Sequence, residues 1–133
     1  MKIAEYTHYN EEEILRLYAE VGWTAYMENR EALRKGFEHS LLTLAAYENE
    51  DLLGIIRVVG DGYTIVFVQD LLVFPDQQRQ GVGKALLQAV LDRYANVRQI
   101  QLVTDRTEKT MAFYQSQGFR DIAELGCCGL MKC

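Results

Sequence analysis

The chain is poor in the residues that mark several kinds of protein. It has one proline, Pro75, one tryptophan, two histidines and three cysteines in 133 residues. No repeat, linker or low-complexity stretch interrupts it. No apolar run approaches the roughly 20 residues of a membrane span, and Met1-Lys2-Ile3-Ala4-Glu5 lacks the apolar core of a secretion signal. Basic residues number 14 against 19 acidic ones, for a net charge of −5, and no Lys/Arg cluster stands out. Neither nucleic acid nor a membrane surface is an expected partner. The mild negative balance suits a cationic small substrate and suits solubility equally well. Cys127, Cys128 and Cys133 all fall in the last seven residues. Their number is odd, their spacing is not that of a zinc site, and adjacent Cys127 and Cys128 are badly placed to bridge each other. They read as reduced thiols of a cytoplasmic protein, in or beside a final strand. No metal is expected.

About half of the residues, 49%, are hydrophobic and 25% are charged, the proportions of one globular domain, here residues 1–133. The pattern predicts a strand from Lys2 to Tyr6. A helix capped by Asn10 follows, with Glu13 three residues on and Gly22 as its stop. A second helix spans Arg30 to Phe37. Strands at Leu41 to Tyr47, Leu52 to Val59 and Tyr63 to Phe74 are joined by turns too short for a parallel crossover, so they form an antiparallel meander. The character then changes. A helix from Gly83 to Tyr94 presents Leu86, Leu87, Val90 and Leu91 on one face, and Ile100 to Val103 is a short strand. Strand, helix and strand make a βαβ unit, so this strand runs parallel to Val68–Val73. Asp105 and Glu108 cap a last helix that ends at Gly118. Arg120 to Leu125 and Gly129 to Cys133 close the chain as an antiparallel pair. The fold class is α/β in the α+β sense: a mixed sheet with an antiparallel meander and one parallel pair.

The stretch richest in chemistry is Gln78-Arg79-Gln80-Gly81-Val82-Gly83, between the apolar run Phe67–Phe74 and the helix near Lys84. The first N–H groups of a helix have no intrahelical partner, and the dipole adds partial positive charge there. Glycine lets a phosphate approach the backbone closely. A P-loop needs Gly where Gln78 stands and Ser or Thr where Ala85 stands. A dinucleotide fingerprint needs Gly where Leu86 stands. Both patterns fail. The letters that fit are Q/R-x-x-G-x-G/A, carried by Gln78, Gly81 and Gly83.

This loop resembles the acyl-CoA loop of the GNAT (GCN5-related N-acetyltransferase) superfamily. Downstream, Phe113-Tyr114-Gln115-Ser116-Gln117-Gly118-Phe119 is similar to that family's F-Y-x-x-x-G-F segment, complete at Phe113, Tyr114, Gly118 and Phe119. The two motifs stand in the family's order, and the resemblance covers the chain from about Phe67 to Phe119. It implies a gap where the parallel strands splay. There the pantetheine arm of acetyl-CoA pairs with the backbone of Leu71, Leu72 and Val73 as a pseudo-strand. It also implies that the diphosphate sits on the amides of Gln80, Gly81, Val82, Gly83 and Lys84, with the Gln78 and Arg79 side chains beside them. Phe113 and Thr107 are further cofactor-side positions. At Thr107 the family often carries Asn, which reaches further than Thr. Lys84 either adds charge or is an ordinary exposed residue of a first helical turn.

The implied reaction is transfer of an acetyl group to a primary amine of a small molecule or peptide by direct attack. A lysine-like amine has a pKa near ~10.4, so neutralising it at pH 7 costs about 4–5 kcal/mol. Asp70 is a candidate to take that proton, and a structural role competes with it because an ordinary Asp, pKa ~3.9, is a weak base. Tyr114 is the resemblance's candidate acid for the leaving thiolate. Its phenol, pKa ~10, is a weaker acid than a thiol near ~8.5, so hydrogen-bond donation is easier than full transfer. Packing against Phe113 and Phe119 is its alternative role. Glu20, Glu28 and His39 come from the region expected to bind the acceptor, and read equally as surface residues. Trp23 and Tyr26 either wall an amine pocket or cover the core. A CoA-binding sensor without turnover, and a nucleotide-phosphate binder, are the competing functional classes. The family also forms dimers, so a homodimer is compatible.

Overall fold

The computed structural model describes residues 1–133, which form two compact units, Met1–Val103 and Thr104–Cys133. The first holds strand β1 (Lys2–Glu5), helices α1 (Glu11–Glu20) and α2 (Arg30–Glu38), strands β2 (Leu42–Glu48), β3 (Asp51–Gly60) and β4 (Ile65–Val73), helix α3 (Val82–Arg93) and strand β5 (Gln99–Leu102). Single turns of 3-10 helix at Thr24–Glu28 and Pro75–Gln77 link α1 to α2 and β4 to α3. The strands lie in the order β1-β2-β3-β4-β5. All neighbours are antiparallel except β4 and β5, which are parallel. The expected mixed sheet, with its meander and βαβ pair, is therefore the observed one.

α1 and α2 form where a side chain caps the first turn and one face is buried. The Asn10 side chain accepts the Glu13 amide at 3.2 Å, the forward half of a capping box between the expected cap and Glu13. The return half runs through a tyrosine: the Asn10 amide donates to the Tyr6 hydroxyl, which donates to Glu13 Oε2 at 2.7 Å. Asn29 caps α2 in the same way, accepting the Ala32 amide at 3.1 Å. On one face of the sheet Ile14, Leu17 and Tyr18 of α1 and Leu33 and Phe37 of α2 pack with Ala45, Ile55, Leu72 and Phe74. α3 packs on β2, β3 and β4 from the other side and buries Val82, Leu86, Leu87 and Val90. Burying a Leu or Val fully is worth roughly 1.5–3 kcal/mol, so these positions hold the two helical layers to the sheet.

The second unit holds helix α4 (Glu108–Ser116) and a 3-10 turn at Ile122–Leu125. Two expectations are corrected here. The cap of α4 is Thr107, whose hydroxyl accepts the Thr110 amide at 3.2 Å, and not Asp105. The closing antiparallel pair is absent. The Asp121 carboxylate accepts the Ala123 amide at 3.0 Å and starts a turn. Cys127 N–H then bonds back to Ile122 O, and Gly126 adopts φ +76°. Ile122 and Leu125 are three residues apart, the period of a 3-10 turn and not of a strand. Cys127, Cys128 and Cys133 are free and exposed, outside any strand.

Candidate active site

Strand β4 carries the first element of the site, a bulge. Arg57 of β3 stands opposite Asp70, but its neighbour Val58 stands opposite Val68, so Gln69 is an extra residue. Paired residues share a face and consecutive ones alternate. Val68 therefore points with Val58 toward α3, while Asp70 points with Arg57 toward α1 and α2. A bulge of this kind bends its strand and ends regular pairing. The parallel ladder to β5 runs from Ile65↔Gln99 to Val68↔Leu102 and stops. From Asp70 to Val73, β4 pairs with β3 on one side and with no strand on the other, and Gln69 pairs with neither. That free edge includes Leu71, Leu72 and Val73. Leu72 buries its side chain in the core, so at that position only backbone is offered, while Leu71 and Val73 are half-buried.

The strand runs directly into the loop. Gln77 N–H closes the turn at Pro75 by bonding to Phe74 O at 2.8 Å. The Gln78 side chain donates to Val73 O at 3.2 Å, tying the loop to the end of β4. Arg79 sits at φ +68° and Gly81 at φ +82°. A left-handed Arg costs about 1–2 kcal/mol, and such strain concentrates at functional backbone. Gly81 is the N-cap of α3 and no side chain caps the helix. The first helical bond there is Ala85 N–H to Gly81 O at 2.9 Å, so the amides of Val82, Gly83 and Lys84 precede the hydrogen-bonded helix. Gln80 and Gly81 lead into them. Arg79 and Lys84 are exposed and join no ion pair. The result is a positive, donor-rich turn suited to an anion.

Asp70 lies deeper. It is 1% exposed. Its Oδ2 accepts from Tyr18 Oη at 2.6 Å and from Arg57 Nε at 2.7 Å, while Oδ1 is buried without a partner. Arg57 Nη1 donates to Ser40 Oγ at 3.2 Å, and the guanidinium lies 5.0 Å from the centre of the Phe37 ring. Burial, and then the Asp70 charge, push the Tyr18 phenol well above its ordinary range. Burial alone would lower the Arg57 guanidinium, but Asp70 and Tyr18 together outweigh it and the net shift is upward. Sequence reasoning singled out Asp70 and missed Arg57 and Tyr18. The available signal was an arginine inside the otherwise apolar run Leu52–Val59.

Beside this network is a cavity of about 290 Å³ between the Thr24–Glu28 turn, α2, β3 and the bulge. Tyr26 lines it, and its hydroxyl faces Gln69 Nε2 at 3.4 Å. Trp23 is 42% exposed and packs edge-on against Tyr18. Glu20 pairs with Arg16, His39 Nδ1 meets Lys35 O, and Glu28 is exposed, so these three are surface groups of the helices and their turns.

In the second unit Tyr114 packs edge-on against Phe113 and Phe119, with ring centres 5.0 and 5.8 Å away. Burial raises its phenol above the ordinary value. Phe119 N–H bonds to Tyr114 O at 3.0 Å and Gly118 takes φ +95°, which explains the spacing from Tyr to Gly-Phe. The Thr107 hydroxyl is engaged as the cap of α4.

A mixed sheet whose single parallel ladder stops beside a helix begun by Gly81 defines a GNAT-like acyltransferase fold. The chain belongs to that family: the model of the acetyltransferase (GNAT) domain matches residues 5–127. It is similar to a GNAT-family acetyltransferase from Streptococcus pneumoniae, 39% identical with a TM-score of 0.90, covering 99% of this chain and 96% of that one. A PaiA N-acetyltransferase from Thermoplasma acidophilum, solved in complex with coenzyme A, shares the fold at a TM-score of 0.72 and 18% identity, over 90% of this chain and 91% of that one. In sequence the chain is 28% identical over 111 residues to an uncharacterized N-acetyltransferase, ycf52-like, from Prochlorococcus marinus, covering 80% of this chain. It spans 61% of that relative's length.

Proposed function

We propose that the protein is an acetyl-CoA-dependent N-acetyltransferase acting on a primary amine of a small molecule or peptide, as a single catalytic domain in the cytoplasm. The observation that carries this reading is the continuity of the free β4 edge, Gln69–Val73, with the uncapped start of α3. The backbone of Leu71–Val73 would hold the pantetheine amides. The amides from Gln80 to Lys84 would hold the diphosphate, with Arg79 and Lys84 supplying charge. Gln78 serves by fixing the loop to Val73, and the family resemblance adds Thr107 and Phe113 as cofactor-side residues. Coenzyme A in the Thermoplasma relative supports the choice of carrier.

In the reaction the neutral amine nitrogen bonds to the acetyl carbon as the C–S bond breaks; the nitrogen gives up one proton and the departing thiolate takes one up, so the products are an amide and a thiol. Tyr114 is the catalytic residue in this reading. Its phenol, kept protonated by burial, donates to the developing thiolate. Asp70 positions Arg57 and Tyr18, because its Oδ2 is fully engaged.

A thermal-shift series tests the carrier. Ligand at a hundred times its Kd stabilises the native state by about 2.7 kcal/mol. Acetyl-CoA should raise Tm while ATP and NAD leave it unchanged. Thiol release against an amine panel then separates an enzyme from a sensor. Absence of any acetyl-CoA shift at millimolar concentration refutes the reading.

A further inference from the structure

The 290 Å³ cavity beside the bulge has a polarity that neither the fold nor the motif dictates. It is at the small end of ligand pockets, which run from about 300 to 1,000 Å³, so it holds one end of a small molecule. Its polar lining consists of Tyr26, Asn29, Arg57 and Gln69, with Ala32 and Gly36 among the apolar positions. No acidic side chain lines it.

The hydrogen-bonding capacity left on these groups is mostly of one kind. Asn29 Oδ1 is spent on the Ala32 amide as the cap of α2, which leaves the Asn29 NH₂ group. Arg57 commits Nε to Asp70 and Nη1 to Ser40. A guanidinium has five donors and no acceptor, so further donors remain. The Tyr26 hydroxyl faces the Gln69 amide as an acceptor, which leaves its own proton to give. Gln69 Oε1 is the one side-chain acceptor without a partner. An ammonium group has three donors and no acceptor and would find little here. An oxygen with lone pairs would find three donors.

Arg57 is also held in place. Ser40 Oγ, which receives Nη1, itself donates to Gly36 O at 2.6 Å. A Cβ on Gly36 would come within 3.3 Å of that same Nη1. The guanidinium is thus fixed against α2 before any ligand arrives, and a preorganised donor loses little freedom on binding. Gln69 joins the cavity to the free edge of β4, because it is the first residue beyond the last β4–β5 pair, Val68 with Leu102.

Resting on the acetyltransferase reading, we infer that the cavity binds the non-reacting end of the acceptor through a carboxylate or amide carbonyl oxygen. The acceptor class is then amino acids, aminoacyl amides and related amino compounds, and not diamines or polyamines.

Three amines of equal chain length test this. 4-Aminobutanoate, 4-aminobutanamide and 1,4-diaminobutane carry an anion, a neutral carbonyl and a cation at the far end. With acetyl-CoA, at least one of the first two should exceed the diamine in kcat/KM by tenfold or more, and their ratio separates carboxylate from amide. Asn29→Asp keeps a good helix cap and replaces the free donor with an acceptor, so it should cut that preference at least tenfold at unchanged Tm. Ala32→Phe, at an exposed helix position, should fill the cavity and lower kcat/KM for the preferred amine tenfold while leaving the acetyl-CoA thermal shift intact. A diamine preferred or equal, an unaltered preference in Asn29→Asp, or no turnover of any of the three while acetyl-CoA still binds, overturns the inference. Loss of acetyl-CoA binding in the native protein would instead overturn the acetyltransferase reading beneath it.

Discussion

Arg57 and Asp70 face each other directly across β3 and β4, and Arg57 Nε donates to Asp70 Oδ2 at 2.7 Å with both side chains almost completely buried. The pair exists because of the bulge at Gln69. Without the extra residue Asp70 would share a face with Val68, under α3, and would have no cation there. Removing one partner of a buried pair leaves an uncompensated charge and costs about 3–5 kcal/mol. Asp70→Ala should therefore lower the unfolding free energy by that amount in urea titration. Replacing both residues, as in Arg57→Met with Asp70→Leu, should cost clearly less than the sum of the single changes. Additive losses would show that the two do not act as a pair.

Tyr18 ties stability to alkaline pH. Its neutral form is the protonated one, and burial and Asp70 raise its pKa in the folded state. The folded protein then keeps a proton that the unfolded chain gives up near pH ~10. Its contribution is complete below that pH and declines as pH climbs toward the raised folded value. Urea titrations should show no Tyr18-dependent change from pH 7 to 9 and a falling stability above about pH 10. Tyr18→Phe should be less stable at neutral pH, having lost the bond to Asp70, and should fall less steeply in the alkaline range.

Tyr114→Phe separates donation from packing. The ring stays against Phe113 and Phe119 and only the hydroxyl goes. A hydrogen bond to a charged partner is worth about 1.5–3 kcal/mol, so kcat should fall roughly tenfold to a hundredfold while acetyl-CoA affinity and Tm hold. With its pKa raised by burial, the wild-type phenol should show no loss of donor function below pH ~10. Wild-type kcat in the mutant across the pH range would remove Tyr114 from the chemistry.

The architecture was readable where periodicity and turn chemistry agree. Short polar turns at Asn49–Asp51 and Gly60–Gly62 forced the meander, and the apolar face of Leu86, Leu87 and Val90 placed α3. The bulge was not readable. The run Phe67–Phe74 is apolar at every position but Gln69 and Asp70, and apolar residues on both sides of those two leave no alternation by which to read a register shift. The letters around Asp70 therefore leave a candidate base and a structural role both open, and the turn of its side chain toward Arg57 and Tyr18 becomes visible only with the extra residue. The cavity beside the bulge was equally hidden, since Asn29, Arg57 and Gln69 are far apart in sequence and meet only once β3, β4 and α2 are stacked. At the C-terminal end the apolar letters around Ile122 and Leu130 suggested strands. Local bonds from Asp121 and the left-handed Gly126 favour a turn instead. The glycine loop was legible because its chemistry is local: four residues from Gln78 to Gly81 set both the tie to Val73 and the opening of the helix.

Gly81 offers a test in which conformation and space come apart. A Cβ built there meets nothing within 4 Å, yet the residue sits at φ +82°. Any cost of Gly81→Ala to folding therefore comes from the left-handed backbone, about 1–2 kcal/mol, and not from a clash. Asn tolerates this conformation better than Ala, so Gly81→Asn should recover part of the lost Tm. A diphosphate on the amides needs the space above Gly81 as well as its conformation. Calorimetry should then find acetyl-CoA affinity reduced in both variants, with Gly81→Asn more stable than Gly81→Ala but no better at binding. If affinity instead tracks Tm across the two, the loop contributes only its backbone shape. If neither variant alters affinity, the diphosphate lies elsewhere.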